Sequence, residues 1–342
     1  MIFSSRRTAL RKLLYPFVAA LLLFLPALVW GEEPLLIKFA TVAPEGSTWM
    51  NHMKELDKTV REKSKGRLEF RIYAGGVAGD ELDTLRKIRI GQIQSAAFSG
   101  VGFGQILPMV RVLDLPFLFR NDDEVDLVQK EMESFFAQHF KEKGFELIAW
   151  AEVGNVHLFS QYPIRKVGDL ARLKVWTWSG DPIAKETFSA MGTNPIPLAI
   201  TDVTTALNTG MIDTVYAPPL GAIALQWNLY VKTMTTLPLA HSTGAVLIAR
   251  NFADKMPPDL LKLLKEEFPR AMAELTKELR KQSEESVALL EKSGLQIVPM
   301  PDETELKAFY KIHDEVARAL EGKIYPKDVL DRVYTILKRK PQ

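Results

Sequence analysis

Cysteine is absent from this chain of 342 residues, and histidine is scarce, with five copies. A chain without cysteine can form neither a disulfide nor a thiolate metal site, and it has no cysteine to carry a lipid anchor. The histidines are scattered, and the sequence contains no His-Glu-x-x-His motif. A catalytic zinc site is therefore not predicted.

Motifs of nucleotide-binding enzymes and hydrolases are missing as well. The sequence has no Gly-x-x-x-x-Gly-Lys-Ser/Thr loop and no Gly-x-Ser-x-Gly turn. A glycine-rich run at 100–104, Gly-Val-Gly-Phe-Gly, resembles part of a dinucleotide loop, but Gln105 takes the place of its third glycine. We therefore predict a protein that is not an enzyme and holds no cofactor.

Positive charge is concentrated at the N terminus, where Arg6, Arg7, Arg11 and Lys12 precede an apolar run. This pattern is typical of a secretory signal, which we predict over residues 1–31, with an uncleaved membrane anchor as the alternative. The arginine pair leaves both Sec and Tat export open. Removing these four residues from the 44 basic ones leaves 40 against 42 acidic ones. The nearly neutral remainder shows no bias toward nucleic acid, and we expect it in the periplasm.

Alternating strand and helix patterns fill the rest of the chain. Ser47 and Asp80 stand where two helices should begin, and each helix follows a strand. Such alternation predicts an α/β fold with mixed, mostly parallel sheets flanked by helices. The roughly 310 residues beyond the signal exceed what one core usually supports, so two lobes are expected. The predicted strands are 35–42, 68–73, 94–99, 173–178, 194–198, 214–216, 245–249 and 295–299.

Loops that follow such strands should line a cleft between the lobes, because ligands of doubly wound sheets bind beyond the carboxyl ends of the strands. Trp176 could instead fill the core, and His157 is predicted as a structural histidine. The side chains in these loops that we expect to contact a ligand are Glu45, Trp49, Phe103, Trp176, Trp178, Asp181, Tyr216 and Ala217.

Several segments, in this order and spacing, resemble the periplasmic receptors of TRAP (tripartite ATP-independent) transporters. They include Gly-Asp-Glu at 79–81, Val-Leu-Asp-Leu-Pro-Phe-Leu-Phe at 112–119, Asn-Pro-Ile-Pro at 194–197 and the run at 202–213. The resemblance covers nearly the whole chain beyond the signal. It implies a type II periplasmic-binding-protein-like fold that closes on a small organic ligand and delivers it to the small and large membrane subunits of a permease. A ligand-sensing or partner-binding module of the same fold is the alternative.

The resemblance also implies how the lobes divide the chain. Lobe I would comprise 32–153 and 243–281, and lobe II would comprise 154–242 and 282–342. Closure would then come from hinge changes in the crossing strands and from bending of a long helix near Lys281.

Three positions depart from the family pattern. The arginine that usually clamps a ligand carboxylate in this family, two residues after a Leu-Lys pair, is replaced by Trp176. A second common arginine aligns with Asn155 or Val156, and a polar triplet is replaced by Val-Tyr-Ala at 215–217. An unpaired carboxylate in a closed cleft is costly. We therefore expect a solute that is larger or more apolar than a simple dicarboxylate, or a cation stacked on aromatic rings.

Overall fold

The computed structural model describes residues 33–339, so the predicted signal peptide lies outside the described residues. The strands are β1 (Leu35–Ala40), β2 (Leu68–Tyr73), β3 (Ser95–Ser99), β4 (Phe145–Ser160), β5 (Trp176–Trp178), β6 (Ile196–Leu198), β7 (Thr214–Ala217), β8 (Thr233–Thr235), β9 (Ala240–Ala249) and β10 (Gln296–Val298). The helices are α1 (Thr48–Lys63), α2 (Glu81–Arg89), α3 (Gly100–Gly104), α4 (Asp122–Glu142), α5 (Pro182–Ala190), α6 (Val203–Asn208), α7 (Pro219–Ala224), α8 (Arg250–Ala253), α9 (Pro258–Lys292), α10 (Glu303–Leu320) and α11 (Lys327–Ile336).

Local sequence signals set the helix starts that matter for the site. Ser47 caps α1 by accepting a hydrogen bond from the backbone N–H of Met50 at 3.3 Å. Asp80 caps α2 by accepting from the N–H groups of Leu82 and Asp83. Both caps were predicted from the sequence, because side-chain oxygens at these positions satisfy N–H groups that a helix start leaves unpaired.

The main sheet is mixed, with strand order β10-β8-β4-β9-β3-β1-β2 and β7 paired to β4. Strand β1 is parallel to β2 and β3, as expected from strand-helix-strand units. Strand β9 runs antiparallel between β3 and β4, and β7 and β8 are also antiparallel to β4. The α/β prediction is confirmed, but the parallel share is smaller than predicted. In the described part of the chain, no single helical crossover connects β9 to its neighbours β3 and β4, so β9 can run antiparallel to both.

Strands β4 and β9 form the longest pairing, from Phe145 opposite Ala249 to Val156 opposite Ala240. The register shifts between Glu152 and Gly154, where one extra residue enters β4. Gly154 has a φ of +113°, a backbone conformation that a residue with a Cβ rarely adopts. A local bend is therefore built into the middle of the central strand.

Three clusters of buried apolar residues form the core. Cluster 1 joins β1, α1 and the first half of α9 and includes Phe39, Val60 and Phe268. Cluster 2 lies around β5, β7 and the last turns of α9, with Trp176 and Leu290 among its members. Cluster 3, the largest, packs α4, α10 and α11 around residues 106–118. None of the helices within residues 33–339 combines the length and apolar character needed to cross a bilayer.

Candidate functional site

A cavity of about 510 Å³ opens where several strands end. Its wall is formed by the loop after β1, the start of α3, the β5–α5 and β7–α7 connections, the bulge of β4 and residues 239–244 around the start of β9. Because these segments come from distant parts of the chain, the cavity depends on the complete fold. Most of its lining side chains are apolar, including Val42, Val101, Val153, Ile200, Leu220 and Ile223.

An aromatic wall occupies one side of the cavity. The indole of Trp176 stacks on the ring of Tyr216 with centroids 4.8 Å apart, and Trp227 meets it edge-on at 5.3 Å. Trp176 is only 1% exposed, and its Nε1 donates a hydrogen bond to the carbonyl of Leu198 at 3.1 Å. Trp176 therefore both fills core cluster 2 and lines the cavity, and its polar atom is already used by the backbone.

One guanidinium lines the cavity, and two carboxylates hold it. Arg111 lies in a 3-10 helical segment, Pro108–Asp114, and its Nη2 donates to Oδ1 of Asp181 at 2.8 Å. Its Nε lies 2.8 Å from Oδ2 of Asp114, a close ion pair whose angles are not those of a hydrogen bond. Asp181 also caps α5 by accepting from two backbone N–H groups. All three side chains are buried. The triple therefore carries no surplus positive charge when both acids are ionised.

Burial sets the protonation tendencies of this triple. It raises the pKa of Asp114 to about 6, although Arg111 and the N–H of Thr243 act in the opposite direction. Burial opposes the charge of Arg111, but Asp181 and Asp114 together raise its pKa. Burial, with a further contribution from Asp181, also raises the pKa of the Tyr216 hydroxyl. Arg111 thus stays charged, while Asp114 can take up a proton in mildly acidic solution.

A third buried acid, Glu81, lies at the start of α2. Its carboxylate accepts hydrogen bonds from the N–H and the hydroxyl of Ser99 and from the N–H of Gly102, at 2.7 to 2.9 Å. Burial raises its pKa to about 7 despite these three donors. The glycines of α3 make the close approach possible, since a Cβ on Gly102 would lie 2.6 Å from Oε2 of Glu81.

A polar cluster surrounds the bulge of β4. Arg280, from the middle of α9, donates from Nη2 to Oε2 of Glu152 at 2.7 Å and also pairs with Asp126 at the start of α4. His241 of β9 lies beside Glu152, with 3.9 Å between Nε2 and Oε2. Both Glu152 and His241 line the cavity. Among the described residues, no group of three or more histidine or acidic side chains has the arrangement of a metal site.

The structure brings eight of the ten sequence-predicted site residues to the cavity wall. These are Glu45, Trp49, Val156, Trp176, Trp178, Asp181, Tyr216 and Ala217. Phe103 does not line the cavity, because its ring is fully buried against Phe140 and Trp150. Asn155 does not line it either, since its amide is held between Asp122 and His241. For these two residues the expectation of a cavity contact is not met.

Sequence reasoning missed several lining residues that carry polar chemistry, among them Glu81, Arg111, Asp114 and His241. A signal for Arg111 existed in the sequence, because a basic and an acidic residue three positions apart interrupt the apolar run that ends at Phe119. An ion pair within the run is the usual way to bury such charges.

Solved structures show the class of fold. The sugar acid binding protein DctPAm of Advenella mimigardefordensis, in complex with galactonate, matches with a TM-score of 0.85 at 19% identity. The match covers 90% of this chain and 98% of that one. The chain therefore has the two-domain α/β fold of TRAP periplasmic solute-binding proteins.

Sequence comparison shows the family. The model of the DctP family, described as bacterial extracellular solute-binding protein, family 7, matches residues 39–323, and the chain belongs to this family. A solute-binding protein of Chromohalobacter salexigens is 32% identical over 163 residues, which are 47% of this chain and 48% of the relative. The match thus spans about half of that relative's length. The C4-dicarboxylate-binding periplasmic protein DctP of Rhodobacter capsulatus is 25% identical over 75% of each chain.

The resemblance to TRAP receptors is confirmed, and proteins of this family are non-enzymatic, periplasmic components of transport systems.

Proposed function

We propose that this protein is the receptor of a TRAP-type transporter for a small organic solute that is larger or more apolar than a simple dicarboxylate. It would deliver this solute to the small and large membrane subunits of a permease. The observation that carries the proposal is the pairing of Arg111 with two carboxylates. Arg111 is the only arginine or lysine among the described residues of the cavity wall. This guanidinium is already paired with Asp114 and Asp181.

The charge of the cavity argues against a dianion. A dicarboxylate brings two negative charges, which need partners when they leave water. Arg111 offers part of one guanidinium, and Glu81, Asp114, Glu152 and Asp181 also line the wall. A bound dianion would therefore meet more negative than positive charge.

The size and the surface of the cavity favour a solute with an apolar body. A volume of about 510 Å³ lies within the range of about 300–1,000 Å³ that is common for ligand pockets. The aromatic wall of Trp176, Trp178 and Tyr216 offers ring faces that an apolar or aromatic portion can cover. The relatives named for galactonate and for C4-dicarboxylates bind small organic acids. A monoanionic or zwitterionic solute with an apolar portion fits both the wall and the charge.

Closure of two lobes on this solute belongs to the proposal, with lobe I at 32–153 and 243–281 and lobe II at 154–242 and 282–342. Core clusters 1 and 2 support this division, whereas core cluster 3 contains residues of both lobes. Every buried member of core cluster 1 falls within lobe I, and every buried member of core cluster 2 except Val101 falls within lobe II. Gly154, with its positive φ, lies at the boundary in β4, where the register shift already bends the strand. Gly154 is therefore a candidate hinge residue.

Mass spectrometry of the solute that copurifies with the exported protein tests this function. Titration of the intrinsic tryptophan fluorescence with that solute, with succinate and with larger monocarboxylates would follow, since Trp49, Trp176, Trp178 and Trp227 line the cavity. We expect saturable binding of the copurified solute and of larger monocarboxylates, with weak or no binding of succinate. Tight succinate binding that survives Trp176→Ala would contradict the proposed ligand class. Absence of any saturable binding would contradict the receptor function.

A further inference from the structure

His241 lines the cavity and carries an unpaired, buried hydrogen-bond acceptor. Asn155 donates from Nδ2 to Oδ1 of Asp122 at 3.1 Å, so its own Oδ1 is the acceptor that lies 3.0 Å from Nδ1 of His241. Nδ1 must then carry the imidazole proton. Burial lowers the pKa of His241 to about 4, which keeps the ring neutral at neutral pH. Nε2 is therefore a bare lone pair, and it is buried without a hydrogen-bond partner among the described residues.

The surroundings of this lone pair select for a donor. Oε2 of Glu152 lies 3.9 Å from Nε2, and both residues line the cavity. Arg280 binds Glu152 but is itself shared with Asp126, and Asp122 lies behind Asn155. A ligand oxygen without a proton would face the lone pair and a carboxylate together. A hydroxyl or a protonated amine would instead donate to Nε2 and be attracted by Glu152.

Trp178 carries the complementary group, a buried N–H donor without a partner among the described residues. Its indole is 7% exposed and lines the cavity, and its Nε1–H has no acceptor among the described residues. An indole N–H can only donate, and a buried donor without an acceptor is costly. Its neighbour Trp176 already donates to a backbone carbonyl, so Trp178 is the indole that is left for a ligand oxygen.

We propose that the solute carries a hydroxyl or protonated amine that donates to Nε2 of His241 and, at a separate position, a carboxylate or carbonyl oxygen that accepts from Nε1 of Trp178. This inference rests on the proposed receptor function and specifies the ligand class within it as hydroxy acids or amino acids with an apolar portion. His241 and Trp178 are then the residues that determine this specificity.

Calorimetric titration with three probes of nearly equal size tests the donor requirement. The probes are para-hydroxymethylbenzoate, para-aminomethylbenzoate and para-ethylbenzoate, which share the ring and the carboxylate and differ in the terminal donor. We expect the wild-type protein to bind at least one donor-bearing probe about 10-fold more tightly than para-ethylbenzoate, as for one buried hydrogen bond. The hydroxyl and amine probes separate the two possible sources of the donor.

Two pairs of variants locate the contacts. His241→Asn keeps a donor toward Asn155 but is too short to place its Oδ1 where Nε2 lies, so the preference for the donor-bearing probe should vanish. His241→Gln can place Oε1 near that position and should restore part of the preference. Trp178→Phe should weaken all three probes about 10-fold through loss of the N–H. Trp150→Phe is the matched control, because the Nε1 of Trp150 is also buried and unpaired but does not line the cavity.

The outcomes distinguish this inference from the proposed function. Equal affinity of the wild-type protein for all three probes, or equal effects of Trp178→Phe and Trp150→Phe, would overturn the inference and leave the receptor function intact. Failure of the wild-type protein to bind any of the three probes would also overturn it. The receptor function is then judged separately, by whether the copurified solute binds saturably.

Discussion

Arg111 and Asp181 are 70 positions apart in the sequence and meet through a contact of 2.8 Å between Nη2 and Oδ1. In the proposed division of the chain, Arg111 belongs to lobe I and Asp181 to lobe II. A second contact runs alongside, since Nε2 of Gln105 donates to the carbonyl of Gly180 at 3.1 Å. The buried ion pair would therefore join the two lobes across the cavity, and opening the cleft would require separating these charges.

Arg111→Gln should strongly destabilise the protein. The substitution leaves Asp114 and Asp181 buried without their counter-charge, which costs about 3–5 kcal/mol for a buried ion pair. Urea denaturation followed by circular dichroism measures the change in the free energy of unfolding. Arg86→Gln is the matched control, because its pair with Asp83 is exposed and should contribute less than about 1 kcal/mol. Equal losses in both variants would contradict the structural role of the buried triple.

Glu81 should make the protein less stable as the pH rises from 4.5 to about 7. In the folded state the carboxyl keeps its proton up to about pH 7, because burial raises its pKa from 4.5. The unfolded chain releases this proton near pH 4.5, so it binds fewer protons than the folded chain in this window. The free energy of unfolding therefore falls as the pH rises. The contribution amounts to about 3 kcal/mol across the window.

The comparison of the wild-type protein with Glu81→Gln isolates this effect. Subtracting the two unfolding free energies at each pH removes the titration of other groups, including His157 and His241, whose lowered pKa values act in the opposite direction. Glu62→Gln changes an exposed glutamate of α1 and serves as the control. In this variant the unfolding free energy should depend on pH as it does in the wild-type protein. If Glu81→Gln shows the same change of unfolding free energy with pH as the wild-type protein, Glu81 does not titrate in this window.

Gly102→Ala should lower the free energy of unfolding by about 1–3 kcal/mol through overpacking. An added Cβ would lie 2.2 Å from Cδ1 of Phe98 and 2.6 Å from Oε2 of Glu81, so both buried side chains would have to move. Thermal denaturation measures the loss. Gly168→Ala serves as the control, because a Cβ there would meet nothing within 4 Å and its φ is not positive. A stable Gly102→Ala protein would mean that α3 can shift away from Glu81 at little cost.

Arg280→Ala should cost about 2 kcal/mol, the scale of hydrogen bonds to a charged group. Glu152 is 3% exposed and would lose its strongest partner, while α9 would lose a connection to β4 and α4. The adjacent Lys281→Ala provides the control, since its pair with Glu285 is largely exposed. Chemical denaturation distinguishes the two variants, and similar stabilities would count against the role assigned to Arg280.

Local features of the fold could be predicted from the sequence because short segments determine them. The caps at Ser47 and Asp80 need only the residues that follow them, and strand β2 was predicted with the bounds that the structure shows. Positions on the cavity wall were predictable near the carboxyl ends of strands, as for Trp178 at the end of β5 and Tyr216 near the end of β7. Chain length predicted two lobes, and the family resemblance supplied their proposed boundaries, which alternating strands and helices alone leave open.

Features that depend on distant packing could not be predicted in the same way. The pairing of Arg111 with Asp181 and the tautomer of His241 each require the arrangement of segments that are far apart in the sequence. The direction of Phe103 depends on which side of α3 faces α4, and the residue points into the core instead of the cavity. Such contacts are fixed by the tertiary structure, and neither composition nor periodicity contains them.

Helix α9 has a mechanical consequence for any change in the shape of the cavity. Its first half packs in core cluster 1 through Leu264 and Phe268, and Leu290 near its end packs in core cluster 2. Between these anchors, Leu279 and Ser283 contribute to the cavity wall. In the proposed closure, a small tilt of α9 beside the cavity would become a larger displacement at the ends of the helix.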